Sequence, residues 1–275
     1  MTTTLRIALA ATGMIAAAHG LPQAAQAQTL IGLTADNSLV RIDAEARRAM
    51  APVRITGADG RVMGIDQRPQ DGRLYGVTER GQIVTIDPAN GRATQVSRLN
   101  TEFNHGGRAV VDFNPVANRL RLMGMSGVNL RVNVETGEAV RDGELKYQAG
   151  TPLAETKPRI VAGAYTNSVA PPAGAPAAGQ PGAPTTALYT IDTLVGGYNL
   201  QAPPNDGVQQ QRGMLGMSLP PGVAFDILTT NGTNRGFVLA GNTLHNINLE
   251  NGALTAAGPV ANLPASEILD IAAMR

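Results

Sequence analysis

The amino-acid sequence predicts an all-β fold, a single β-propeller that is most simply five-bladed, on three observations. Units of short alternating strands begin at Leu30, Leu74, Leu120, Leu188 and Phe237, in steps of 44, 46, 68 and 49 residues. Each unit holds two strands around a turn, a tight Asn-Gly or Thr-Gly type turn, and a third strand. The chain ends complete one another: Thr29–Met50 supplies three strands of a unit, and Ile268–Met274 supplies only an innermost one. Four strands per repeat of about 40–50 residues is the propeller period, and pairing the termini would close the ring. A β-sandwich is the main alternative for the same strand content.

In chain order, the first element is not part of that fold. Residues 1–27 read as a signal peptide: Arg6 supplies charge, Ile7–Ala18 is apolar but too short for a permanent anchor, and Ala25-x-Ala27 suits signal peptidase. Cleavage near Ala27 would leave residues 28–275 as the propeller domain, periplasmic or secreted. The best-defined unit then runs from Leu74 through Asn90-Gly91 to Val96. A further, innermost strand precedes most units, at Gly64–Asp66, Val111–Phe113, Phe225–Ile227 and Leu269–Ile271, with Val161–Tyr165 in the remaining place. The 68-residue step is accounted for by residues 170–186, a run rich in Pro, Gly and Ala without charge, which reads as a loop insertion.

Composition excludes several classes of function. The formal charge is +1, and loss of Arg6 with the leader brings it to zero, so nucleic acid and anionic membranes are not expected partners. No later stretch is long and apolar enough for a membrane span. With no cysteine there can be no thiolate metal site or cysteine nucleophile, and His105 and His245 alone cannot form a three-histidine centre. Tryptophan is absent and aromatics are 3%, which disfavours stacking platforms. A monomer is expected.

Four aspartates recur in the innermost strands: Asp66, Asp112, Asp226 and Asp270. A ring of carboxylates near the axis would suit a divalent cation such as calcium; the competing reading is that they accept backbone hydrogen bonds and fix blade packing. No other cofactor is expected. The most polar stretch is Asn118–Leu122 with Asn129–Asn133, where Arg119, Arg121, Asn129, Arg131 and Asn133 alternate with apolar residues. Three guanidiniums on one sheet face either enter an internal ion-pair network with the aspartates or present a fork to an anionic or polar ligand. His105, in Asn104-His-Gly-Gly107, adds a further candidate ahead of an inner strand.

Gly64-Ile-Asp-x-Arg-Pro69, Asp112-Phe-Asn-Pro115, Arg119-Leu-Arg121, Asn129-Leu-Arg-x-Asn133, Tyr165-Thr-Asn167, Leu188-Tyr-x-Ile-Asp192 and Pro203-Pro-Asn-x-Gly207 together resemble a bacterial exported family known as domain of unknown function 4394. The resemblance implies a propeller-like fold and export, and no catalytic residues. Its polar positions add Tyr165, Asn167 and Asn205 to the candidate ligand-binding set. The expected function is a ligand-binding or protein-interaction module for a small polar or anionic ligand. A propeller-type hydrolase or lyase with an axial metal or carboxylate site is the alternative. A third reading is a structural partner of a cell-envelope protein.

Overall fold

In the computed structural model, which describes residues 28–220 and 222–275, five separate sheets form five blades. The expected signal peptide, residues 1–27, lies outside the described residues. Blade one comprises Val62–Gln67, Leu74–Thr78, Gln82–Ile86 and Ala93–Arg98, from the axis outwards. Blade two comprises Ala109–Asn114, Arg119–Gly124, Asn129–Val132 and Ala139–Arg141. Blade three comprises Ile160–Tyr165, Leu188–Asp192, Gly197–Gln201 and Val208–Met214, with Lys146–Tyr147 added in parallel at its rim. Blade four comprises Val223–Thr230, Thr233–Ala240, Thr243–Ile247 and Leu254–Pro259.

Blade five is assembled from both ends of the chain. Ile268–Met274 is innermost, followed by Thr29–Thr34, Ser38–Asp43 and Arg48–Ala49. The terminal strands pair from Thr29 opposite Met274 to Thr34 opposite Ile268. Ring closure through the termini, expected from the two incomplete units, is thus what the fold uses. It removes the open inner edges that an unclosed array would expose.

The five innermost strands pack side by side around one axis, each against the next. Gly64 shows how close that approach is: a side chain there would collide with the Val111 side chain of blade two. Between blades, the alternating apolar residues interdigitate, as where Tyr75, Val77 and Ile83 meet Phe113, Leu120 and Leu122. Full burial of each such side chain contributes roughly 1.5–3 kcal/mol. Both faces of a blade are covered by neighbours, so the polar face of an alternating strand is buried as well. Leu120, Leu122 and Arg121 are all at or below 2% exposure. Residues 170–186 join the innermost strand of blade three to its second strand and form no strand of their own.

Candidate functional site

At the axis the aspartates act first as inter-blade connectors. The Asp66 carboxylate accepts the Phe113 N–H of blade two at 2.7 Å, and Asp112 accepts the Tyr165 N–H of blade three at 2.9 Å. Asp226 accepts the Ala273 N–H of blade five at 2.6 Å, and Asp270 accepts the Ile65 N–H of blade one at 2.9 Å. Asp66, Asp226 and Asp270 also accept the N–H of the residue that follows each of them.

The four do not form one ring. Asp66 accepts from the residue just after its neighbour's aspartate, whereas Asp270 accepts from Ile65, just before Asp66. Cross-strand register agrees: Asp66 and Asp112 stand opposite Tyr75 and Arg121, each the residue after the leucine that begins its repeat unit, but the matching place opposite Ile31 is taken by Ala272. Asp270 therefore lies two residues back along its strand. In blade three the corresponding place opposite Tyr189 is Ala164. What converges is a trio, Asp66, Asp112 and Asp226, with carboxylate oxygens within 4.8 Å of one another. The even 44-residue spacing from Asp226 to Asp270 concealed the shift.

These three carboxylates surround a small cavity, also lined by Gln67, Tyr165 and Arg275. Its volume is about 10 Å³ measured to the centre of a water-sized sphere, room for one water or one bare cation. Burial drives the Asp66 and Asp112 carboxyls well above the usual carboxylate range, and neighbouring carboxylates add to it. Burial raises Asp226 to about 6. The convergence of their carboxylate oxygens makes this trio the set that could hold a metal among the described residues.

The opposite end of the axis carries a cation. Arg108, just before the innermost strand of blade two, reaches across to blades four and five. It donates to Val223 O at 2.9 Å and Leu269 O at 2.6 Å, and pairs with Glu267 at 2.7 Å.

The polar stretch of blade two is chiefly an internal network, but its acid is not an axial aspartate. Arg121 is 2% exposed and donates to Asp142 at 2.6 Å, Asn129 at 2.8 Å, Asn205 at 2.9 Å and the Tyr165 hydroxyl at 3.2 Å. Arg131, directly opposite Arg121, donates its Nε to the same Asp142 oxygen at 2.7 Å. Asn129 anchors the Gly143 and Pro204 carbonyls. Arg121, Asn129, Arg131, Tyr165 and Asn205 thus meet at the junction of blades two and three.

The other candidates do not join them. Arg119 is exposed and donates to the adjacent Asn118 carbonyl. Asn133 closes a local turn by accepting the Glu135 N–H. Asn167, in a left-handed conformation at φ 57°, pairs with Asn234 of blade four. His105 is half-buried beside Phe103 and accepts the Gly107 N–H. Burial pushes its imidazole below the usual range.

Over the Arg121–Asp142 network lies an open cleft of about 430 Å³, lined by Asn104, Ser126, Asn129, Arg141, Asp142 and Glu144. Ser126 ties the wall together, donating to Asn104 O at 2.7 Å and accepting the Val128 N–H. Of these residues only Asn129 stands among the candidates that the sequence pattern offers. Asp142 could have been found as the acid directly after the last blade-two strand; Ser126 and Glu144 carry no sequence signal.

The chain is similar to several solved bacterial structures. A protein of unknown function from Bacteroides caccae shares 12% identity at a TM-score of 0.43, covering 84% of this chain and 73% of that one. One from Bacteroides thetaiotaomicron shares 14% at 0.49, covering 92% and 66%; an auxiliary nutrient binding protein from Bacteroides ovatus shares 14% at 0.41, covering 76% and 55%. A search of curated proteins finds no match. The family model described as "Domain of unknown function (DUF4394)" matches residues 38–272, nearly the whole propeller, and the chain belongs to that family.

Proposed function

We propose that the protein is an exported binding module that holds a small polar ligand in the cleft of blade two. The observation that carries this reading is the cleft: about 430 Å³ of space with polar and charged walls, in the range of about 300–1,000 Å³ common for small-molecule sites. Its floor is held in place before any ligand arrives, because Arg121, Asn129 and Asp142 are already bonded to one another. Binding there would carry little ordering cost. The export part rests on the leader with Ala25-x-Ala27, and intact mass of periplasmic protein starting near Gln28 is its check.

The cleft reading is tested by calorimetry with a panel of monosaccharides, hydroxy acids and sugar phosphates. Asn104→Trp, at an exposed loop position, fills the cleft without touching its floor. At least one panel member should bind, with affinity falling about tenfold or more in the variant. No binding across the panel, or binding indifferent to Asn104→Trp, would remove the reading.

A second reading is favoured by the convergence of Asp66, Asp112 and Asp226 within 4.8 Å: a divalent cation such as calcium at the axis. Three carboxylates could supply part of the roughly 6–8 oxygens that calcium takes. A space of about 10 Å³ leaves no room for an organic substrate beside the ion, which weighs against an axial hydrolase or lyase. Calcium should raise the melting temperature of the parent and not of Asp112→Asn; no shift at millimolar calcium would end this reading.

A further inference from the structure

The committed and uncommitted groups around the blade-two cleft differ in sign. Arg121 and Arg131 stand directly opposite each other on paired strands, an arrangement that repels unless a counter-ion is shared. They share one: a single oxygen of Asp142, at 2.6 and 2.7 Å. One buried carboxylate against two guanidiniums leaves a positive charge uncompensated. Arg141, one residue before Asp142, lines the cleft and has no carboxylate within ion-pair distance among the described residues. The only other acid in the wall, Glu144, is paired with Lys157 at 3.2 Å on the exposed rim. Four cationic side chains therefore meet two carboxylates.

The hydrogen-bonding atoms are divided in the same way. Asn129 is consumed by Arg121, Gly143 and Pro204, and the Ser126 hydroxyl by Asn104 O and Val128 N–H. The Arg141 guanidinium and the Asn104 amide make no side-chain bond among the described residues, and both residues line the cleft. A free guanidinium offers a planar fork that matches a carboxylate or phosphate, and an amide offers a donor and an acceptor to hydroxyls.

From this imbalance we infer that the cleft takes a monosaccharide-sized, hydroxylated oxyanion, gripped by Arg141 and held against the Arg121–Arg131–Asp142 cluster. The inference rests on the proposed function and narrows its ligand from polar to anionic. Carboxylate and phosphate share the recognition chemistry, so the experiment carries both.

The test is calorimetry of the full mature chain at low salt with glucuronate, glucose 6-phosphate and glucose, repeated with Arg141→Met. The variant should fold normally because Arg141 is exposed. At least one acid should bind about tenfold or more tighter than glucose, and Arg141→Met should erase that preference. Stronger binding of glucuronate would assign a carboxylate, and of glucose 6-phosphate a phosphate. Both results support the inference. Glucose binding as well as both acids, with Arg141→Met neutral, would overturn it while leaving the cleft as a ligand site. If none of the three binds while other members of the wider panel do so in a manner sensitive to Asn104→Trp, the oxyanion inference alone falls.

Discussion

The two ends of the central axis solve the same problem, buried charge, in opposite ways. At one end Arg108 is balanced as a charge by the Glu267 carboxylate and donates through its two terminal nitrogens to backbone carbonyls of blades four and five, while its Nε is buried without a partner among the described residues. At the other, Asp66 and Asp226 each accept two backbone N–H donors and Asp112 one, and Arg275 stands at the cavity rim without an ion pair to any of them. Hydrogen bonds satisfy atoms without cancelling charge. The cationic end is therefore a clasp that draws non-adjacent blades together, whereas the acidic end joins neighbouring blades while its members repel.

The largest expected effect of breaking this contrast is at the clasp. Arg108→Met strands the Val223 and Leu269 carbonyls and removes the link across the axis. Glu267 is 44% exposed and can be solvated, so no charge is left buried and unpaired. The loss should be about 2–4 kcal/mol, mostly the desolvated carbonyls, read as a lower midpoint in urea at unchanged slope. A loss under about 1 kcal/mol would mean that water replaces the guanidinium and that the clasp is dispensable.

The acidic end should show itself through pH. Asp66, Asp112 and Asp226 all have carboxyls raised above their unfolded values, Asp226 to about 6. Their contribution is fully present below the unfolded value near 4 and is lost as pH rises through the folded one. In the metal-free protein, stability should fall between pH 5 and pH 8 by on the order of 2–3 kcal/mol, against the usual direction for acid denaturation. Asp112→Asn should flatten that slope. Equal melting temperatures at the two pH values, in the presence of a chelator, would show that the trio carries no net strain.

The same contrast marks what was legible in the sequence. Repeat spacing revealed the five blades and the closure by the termini because each blade repeats one pattern of Leu, Gly and turn residues, from Leu30 to Ile271. Recurrent aspartates disclosed the axial connectors as well. Their grouping was not legible, since a two-residue offset of Asp270 along its strand leaves the spacing almost unchanged. Arg108 was missed because its partners lie in blades four and five, more than 100 positions away. Arg119, Arg121 and Arg131 looked equivalent by alternation, yet only Arg121 is enclosed by both blades, which a period of two cannot tell. Sequence periodicity reports which face a residue takes, not what the next blade brings against it.

The smallest expected effect concerns Arg275, the cation that lines the acidic cavity. Its guanidinium donates to Pro69 O at 3.1 Å and attracts the Asp66 carboxylate through space. Arg275→Gln should therefore have two separable consequences. Loss of the hydrogen bond lowers stability equally at all pH values. Loss of the positive charge raises the Asp66 carboxyl further, so it acts only where Asp66 ionises: nothing near pH 4, and a growing penalty towards pH 8. Because the residue is exposed, solvent screens the pair, and the pH-dependent part should stay under about 1 kcal/mol. Melting the parent and the variant side by side at pH 4, 6 and 8 reads the difference directly. A gap that widens with pH places Arg275 in the electrostatics of the acidic end. A constant gap would confine it to the Pro69 carbonyl and take it out of the electrostatics of the three axial carboxylates.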